Sequence, residues 1–174
     1  MKKVIVTGGM GFIGSHTVVE LANKGYEPII IDNLSNSSLS VLNGINKITN
    51  KNVTFEKFDL TDSIATEHCF QKHKDAIGVI HFAAYKAVGE SVKLPNKYYK
   101  NNILSLINVL DSMNSNNIPN LIFSSSCTVY GQPDVLPVTE STPIKKASSP
   151  CGFTKQVGEQ IINDFVNVLS FWMT

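Results

Sequence analysis

Two side chains able to handle a proton together stand four residues apart in "SSPCGFTKQ" (148–156), namely the Cys151 thiol and the Lys155 ammonium. Positions i and i+4 lie on one helix face, so a helix starting here would present both on the same side. A thiol at a helix N-terminus beside a lysine is placed to lose its proton more readily than a free cysteine. The plain alternatives are a solvated helix lysine and a small packed thiol.

A second constellation is "TGGMGFIGS". Gly8, Gly11 and Gly14 have GxxGxxG spacing, and Gly9, Gly11 and Gly14 also satisfy GxGxxG. Glycines at such positions permit a tight turn and let backbone N–H groups at a helix N-terminus approach a pyrophosphate. An apolar run precedes the loop, an amphipathic stretch follows, and the next apolar run ends in Asp32, 32 − 14 = 18 residues beyond Gly14. A carboxylate there accepts hydrogen bonds from the ribose hydroxyls of a dinucleotide and repels a 2′-phosphate, which favours NAD over NADP. The competing reading is a glycine-rich turn that holds no ligand.

These groups need a scaffold, and the chain supplies a regular one. Apolar β-branched runs at Lys3 to Thr7, Pro28 to Asp32, Val53 to Asp59, Gly78 to Ala83 and Leu121 to Ser126 alternate with amphipathic stretches. That alternation predicts an α/β fold, a doubly wound parallel sheet of the Rossmann type. Helices are expected from "FIGSHTVVELANKG", with Ile13, Thr17, Leu21 and Ala22 on one face and Gly25 at its end, and over Leu39 to Thr49, Asp62 to Lys72, Pro95 to Asn114 and Cys151 to Leu169. Asp62 and Ser63 are suited to cap the third. The segment from Cys127 to Pro150, with four prolines, is expected to be a ligand loop following the last strand.

Composition sets the outer bounds. At 174 residues the chain is expected to form one domain, residues 1–174, with a full core. With 15 basic and 14 acidic side chains and no charge block, neither nucleic acid nor an anionic membrane is an expected partner. The apolar stretch after "MKK" is too short for a leader, so the expected location is the cytoplasm. Cys69, Cys127 and Cys151 show no CxxC or CxxH spacing, so they are read as free thiols, with no disulfide framework and no metal site. His81, in "GVIHFAA", is read as a packed strand-end residue.

Taken together, "VTGGMGFIGSH", "IDNLSNS", "HFAAYKAVGES", Asn101 and Asn102, "FSSSCTVYG" and "PIKKASSPCGFTKQ" resemble the UDP-glucose 4-epimerases of the extended short-chain dehydrogenase/reductase group, from Lys3 to about Asn167. The related nucleotide-sugar dehydratases usually carry an Asp-Glu pair between the serine and "VYG", where this chain has Ser126, Cys127 and Thr128. The resemblance implies an isomerase of galactose metabolism. Hydride leaves C4 of the sugar for NAD while a tyrosine takes the hydroxyl proton, the 4-keto sugar turns over, and hydride returns to its other face. By motif, Ser126 would hydrogen-bond the reacting oxygen, and Lys155 would bind the nicotinamide ribose and tune the tyrosine. The same carry-over assigns Gly8, Gly11, Phe12, Ile13, Gly14, Asp32, Asn33, Asn36 and Ser37 to the pyrophosphate and adenosine half. It assigns Asp59 and Leu60 to the adenine edge, and Phe82, Ala83, Ala84, Lys86 and Asn101 to the rest of the cofactor site. Core packing is the competing role of the apolar members.

Two departures from the family pattern stand out. The tyrosine expected at position 151 is Cys151, whose sulfur lies roughly 4 Å nearer its backbone than a phenolic oxygen would, more than one hydrogen bond can span. Phe153 also replaces a small polar residue. The family pattern continues with a further strand and a uridine-gripping domain, whereas this sequence stops after "VLSFWMT". The chain is therefore expected to be the cofactor half, truncated before the substrate domain, with Leu121 to Ser126 an apolar sheet edge and Phe171, Trp172 and Met173 either covering that edge or forming an exposed apolar patch. Catalysis by this chain alone is not expected unless another polypeptide supplies the rest, and the alternatives are a non-catalytic NAD-binding module and a decayed remnant. Whether a homodimer forms is open at this stage.

Overall fold

The computed structural model describes the backbone of residues 1–172 and the side chains of residues 1–166. The chain divides into two units, Met1–Ala83 with Asp111–Ser124, and Ala84–Leu110 with Ser125–Thr174.

The first unit is built on a parallel sheet of β1 (Lys3–Thr7), β2 (Glu27–Ile31), β3 (Thr54–Glu56), β4 (Ala76–His81) and β5 (Leu121–Phe123). Their order is β3-β2-β1-β4-β5, all pairs parallel. This is the doubly wound arrangement that the alternating pattern predicts, with the order reversing between β1 and β4. Ligand crevices open at such a reversal, beyond the carboxyl ends of the strands. Central strands are apolar on both faces: Val4, Ile5 and Val6 of β1 and Ile29, Ile30 and Ile31 of β2 are all buried. Val6 and Ile30 meet Val18 of α1 (Phe12–Asn23) and Ile45 of α2 (Leu39–Thr49) in one core cluster.

The buried stripe of α1 is Gly14, Val18 and Ala22, not the Ile13, Thr17, Leu21 and Ala22 face read from spacing. Ile13 and Phe12 stay 55% and 77% exposed, on the helix face away from the Gly14, Val18 and Ala22 stripe. Gly25 ends the segment at φ +83°, as a left-handed terminus requires. In α3 (Ser63–Lys72) the cap is Asp62 alone, accepting from the Ile64 and Ala65 backbone N–H groups.

Several strands are shorter than their apolar runs. β3 stops at Glu56 and β5 at Phe123, so Asp59 and Ser126 lie outside the strands, where each accepts a backbone N–H two residues on, from Thr61 and Thr128. β5 is the last strand in the sheet, and Ile122 is 62% exposed. The side chains of Phe171, Trp172 and Met173 lie outside the described residues.

The second unit holds α4 (Val88–Lys93), most of α5 (Pro95–Ser115), a 3₁₀ turn at Cys127–Tyr130, and α6 (Pro150–Trp172). Helix α4 and the 3₁₀ turn were not legible as periodic stretches. Both are shorter than two helical turns, too short for an amphipathic repeat to show. Helix α6 opens on proline at its first position, where the missing N–H costs nothing, and Ser149 accepts the Gly152 N–H at 3.1 Å as its cap.

Candidate functional site

The glycine loop in the first unit is as tight as its spacing predicts. Gly8 has φ +65°, and a Cβ there would lie 2.8 Å from the Ala83 backbone nitrogen. A Cβ at Gly14 would strike the Gly8 carbonyl oxygen and approach the Gly9 Cα at 2.8 Å. The Gly8 N–H donates to the Ile31 carbonyl at 2.8 Å and the Phe82 N–H to the Thr7 carbonyl at 3.1 Å, so the ends of β1, β2 and β4 are tied around the loop. His81 is buried with Nδ1 2.8 Å from the Thr7 hydroxyl oxygen, the packed strand-end role expected of it.

Asp32 stands one residue past β2. Its Oδ2 accepts the Met10 N–H at 3.1 Å, and its Oδ1 accepts the Leu34 N–H at 2.8 Å and the Ser37 hydroxyl at 3.0 Å. The carboxylate is thus aimed by the loop it closes. Beside it, an open cleft of about 460 Å³ is lined by Met10, Gly11, Phe12, Ser15, Asn36, Ser37, Ser38 and Val41. That volume falls within the range of small-molecule sites. Sequence spacing alone does not single out Met10, Ser15, Ser38 and Val41. Met10 and Ser15 lie inside the glycine motif, while Ser38 and Val41 enter because α2 lies beside the loop.

Asn33 donates to Asp59 Oδ2 at 2.8 Å, bringing two of the assigned residues together. Burial pushes the Asp59 carboxyl up, but the Thr61 backbone N–H, the Thr61 hydroxyl and the Asn33 amide outweigh it and hold it below the usual carboxylate range. Leu60 is buried at 6% exposure, with its carbonyl accepting from the Thr66 hydroxyl, so its side chain serves the core.

The second unit brings the motif residues together differently. Cys151 and Lys155 do lie one turn apart on α6, and both are buried, at 6% and 8% exposure. The Cys151 sulfur lies 3.8 Å from the Tyr85 carbonyl oxygen, to which the thiol donates. Burial pushes this thiol up, against the smaller downward pull of Lys155, which corrects the expectation of a depressed thiol. Burial likewise pushes the Lys155 ammonium down. Desolvation wins because neither side chain is open to water.

Ser126 sits at the cap of the 3₁₀ turn. Its hydroxyl oxygen accepts from the Thr128 hydroxyl at 3.0 Å and the Thr128 N–H at 3.3 Å, which leaves the Ser126 proton free to donate elsewhere. Helix α6 packs on that turn closely enough that a Cβ at Gly152 would meet Thr128 at 3.2 Å. Asn102 knits the neighbourhood: it accepts the Tyr85 N–H at 2.8 Å and donates to the Tyr85 carbonyl and the Thr154 hydroxyl. Asn101 donates to Asn102, whereas Lys86 is exposed in the loop before α4. Phe153 is 46% exposed and meets the Tyr99 ring edge-on.

Comparison with known proteins agrees with this layout. Residues 4–168 match the NAD dependent epimerase/dehydratase family. The UDP-glucose 4-epimerase of Bacillus subtilis (strain 168) is 46% identical over 169 residues, covering 97% of this chain and 49% of the relative. That of Dictyostelium discoideum is 47% identical over 162 residues, covering 93% and 46%. The crystal structure of UDP-glucose 4-epimerase from Bifidobacterium longum in complex with NAD+ and UDP superposes with a TM-score of 0.92 at 46% identity, covering 97% of this chain and 50% of that one. The chain spans about half the length of the curated relatives it matches.

Proposed function

The chain belongs to the NAD dependent epimerase/dehydratase family, and from that premise we propose that it is the NAD-binding part of a UDP-glucose 4-epimerase, interconverting UDP-glucose and UDP-galactose through a 4-keto sugar. The single observation that carries the cofactor assignment is the cradle itself. Gly8 and Gly14 approach neighbouring backbone so closely that no side chain fits, and the Asp32 carboxylate is fixed beside an open cleft. That is a fit for a pyrophosphate followed by a ribose diol.

In this reading Gly8, Gly11, Phe12, Ile13 and Gly14 hold the pyrophosphate, and Asp32, Asn33, Asn36, Ser37 and Asp59 hold the adenosine. Leu60, Phe82 and Ala83 back the site. Bound there, NAD supplies an acceptor and later a donor of hydride for the sugar's C4. Ser126 has a proton to give to the reacting oxygen, since Thr128 already fills its acceptor role. Cys151 holds its proton on sulfur at neutral pH, because burial raises the thiol. A thiol that keeps its proton is not poised to accept one from the sugar hydroxyl.

Calorimetric titration tests the reading. NAD+ should bind saturably and more tightly than NADP+. Absence of NAD+ binding, or equal affinity for both cofactors, would overturn it.

A further inference from the structure

We propose that Glu56, Cys69 and His73 form a binding site for a divalent cation of the zinc class, at the end of the sheet's edge strand β3. Cys69 and His73 stand one turn apart near the end of α3, where the His73 N–H closes the turn on the Cys69 carbonyl at 3.1 Å. Glu56 is the last residue of β3. One donor atom from each of the three lies within 4.8 Å of the other two. Thiolate, imidazole and carboxylate are the donor set of tetrahedral zinc, whose ligands sit at about 2.0–2.3 Å from the ion. A sulfur donor turns preference away from magnesium and calcium.

The histidine gives an independent sign. His73 is 6% exposed, its Nε2 lies 2.8 Å from Glu56 Oε1, and its Nδ1 is buried with no hydrogen-bond partner. Neither neutral tautomer of the ring is satisfied by the chain. If Nε2 donates to Glu56, the Nδ1 lone pair has no donor, and if Nδ1 carries the proton, the Nε2 lone pair faces a carboxylate. A cation between Nε2 and Glu56 Oε1 relieves the second arrangement, in which two lone pairs face each other. Glu56, with 21% of its side chain exposed, gives the ion a way in from solvent, and an open fourth position is left for water. Lys72, 64% exposed, pairs with Glu56 Oε1 at 2.7 Å and is the group the cation must displace.

Nothing in the linear sequence marks this trio. A Cys-x₃-His pair is one helix turn, common without metal, and the third ligand comes from a different element, β3.

Cobalt(II) serves as the probe, because a cobalt–thiolate bond gives a charge-transfer absorption that oxygen and nitrogen ligands do not. Titrated with Co²⁺, the full chain should take up one equivalent with that absorption, zinc should displace it, and Mg²⁺ should not. Cys69→Ser should abolish the absorption, whereas Cys127→Ser and Cys151→Ser should retain it. His73→Gln and Glu56→Gln should each weaken binding by at least the roughly ten- to hundredfold that losing a ligand's supporting partner costs, and Lys72→Ala should tighten it severalfold. The unmodified chain decides the matter even if a variant folds poorly. A saturating titration with no charge-transfer absorption, or an absorption that survives Cys69→Ser, overturns the proposal.

Discussion

The Asp32 carboxylate accepts the Met10 backbone N–H at 3.1 Å, so the acid placed to meet a ribose also pins the glycine loop that would meet the pyrophosphate. Selectivity and loop order are therefore coupled. Asp32→Ala should narrow the preference for NAD+ over NADP+, and it should also strand the Met10 and Leu34 N–H groups, at about 1–3 kcal/mol for each one left unpaired. Chemical denaturation and cofactor titration of the same variant check both. A variant with altered selectivity and unchanged stability would uncouple them.

Glycines in this chain separate into two kinds, and substitution tells them apart. Gly44 lies inside α2 with no positive φ, and a Cβ added there would meet nothing within 4 Å, so Gly44→Ala should stabilise the fold by about 0.5–1 kcal/mol. Gly8→Ala forces a left-handed φ and a 2.8 Å approach to Ala83, and should cost more than about 3 kcal/mol. Urea midpoints moving in the same direction for both would contradict the packing described.

The cradle was legible in the sequence because a glycine loop is a local device: strand, turn and helix are contiguous, and Asp32 follows at a fixed distance. Strand centres were legible for the same reason, since Ile29 to Ile31 are apolar on both faces. Strand ends were not, because Asp59 and Ser126 take up local turns with Thr61 and Thr128, whose side-chain hydrogen bonds no periodicity encodes. The protonation of Cys151 takes the opposite sign to the one its sequence neighbours suggest. A lysine four residues away is visible in sequence, whereas the desolvation that outweighs it depends on Tyr85 and the rest of a packed neighbourhood distant along the chain.

Acid should find Asp59. Its carboxyl in the folded chain lies below its unfolded value, so its contribution to stability is complete above the unfolded carboxylate range, near pH 4, and is lost as pH falls through the folded value. Asp59→Asn should therefore flatten the acid limb of the stability profile below about pH 4. An unchanged limb in thermal scans would show that the Asn33 and Thr61 hydrogen bonds contribute nothing.

The three thiols should react in an order set by burial. Cys127 is exposed, Cys151 is buried with its thiol pushed up by desolvation, and the Cys69 thiol is pushed up to about 12 by burial and then by Glu56. Thiolate is the species that attacks an alkylating agent. Iodoacetamide at neutral pH should accordingly label Cys127 first, Cys151 later and Cys69 last, as read by peptide mass mapping over time. Raising the pH should speed Cys151, since a raised thiol gains thiolate over a higher range. Bound NAD+ should slow Cys151 further if position 151 faces the cofactor. Replacing it by the larger residue, Cys151→Tyr, adds a ring beside Tyr85 and should cost about 1–3 kcal/mol by overpacking, unless the phenol leaves the buried position for the cofactor side. Cys151 labelling ahead of Cys127 would show that Lys155 outweighs burial after all, and would restore an activated thiol at this position.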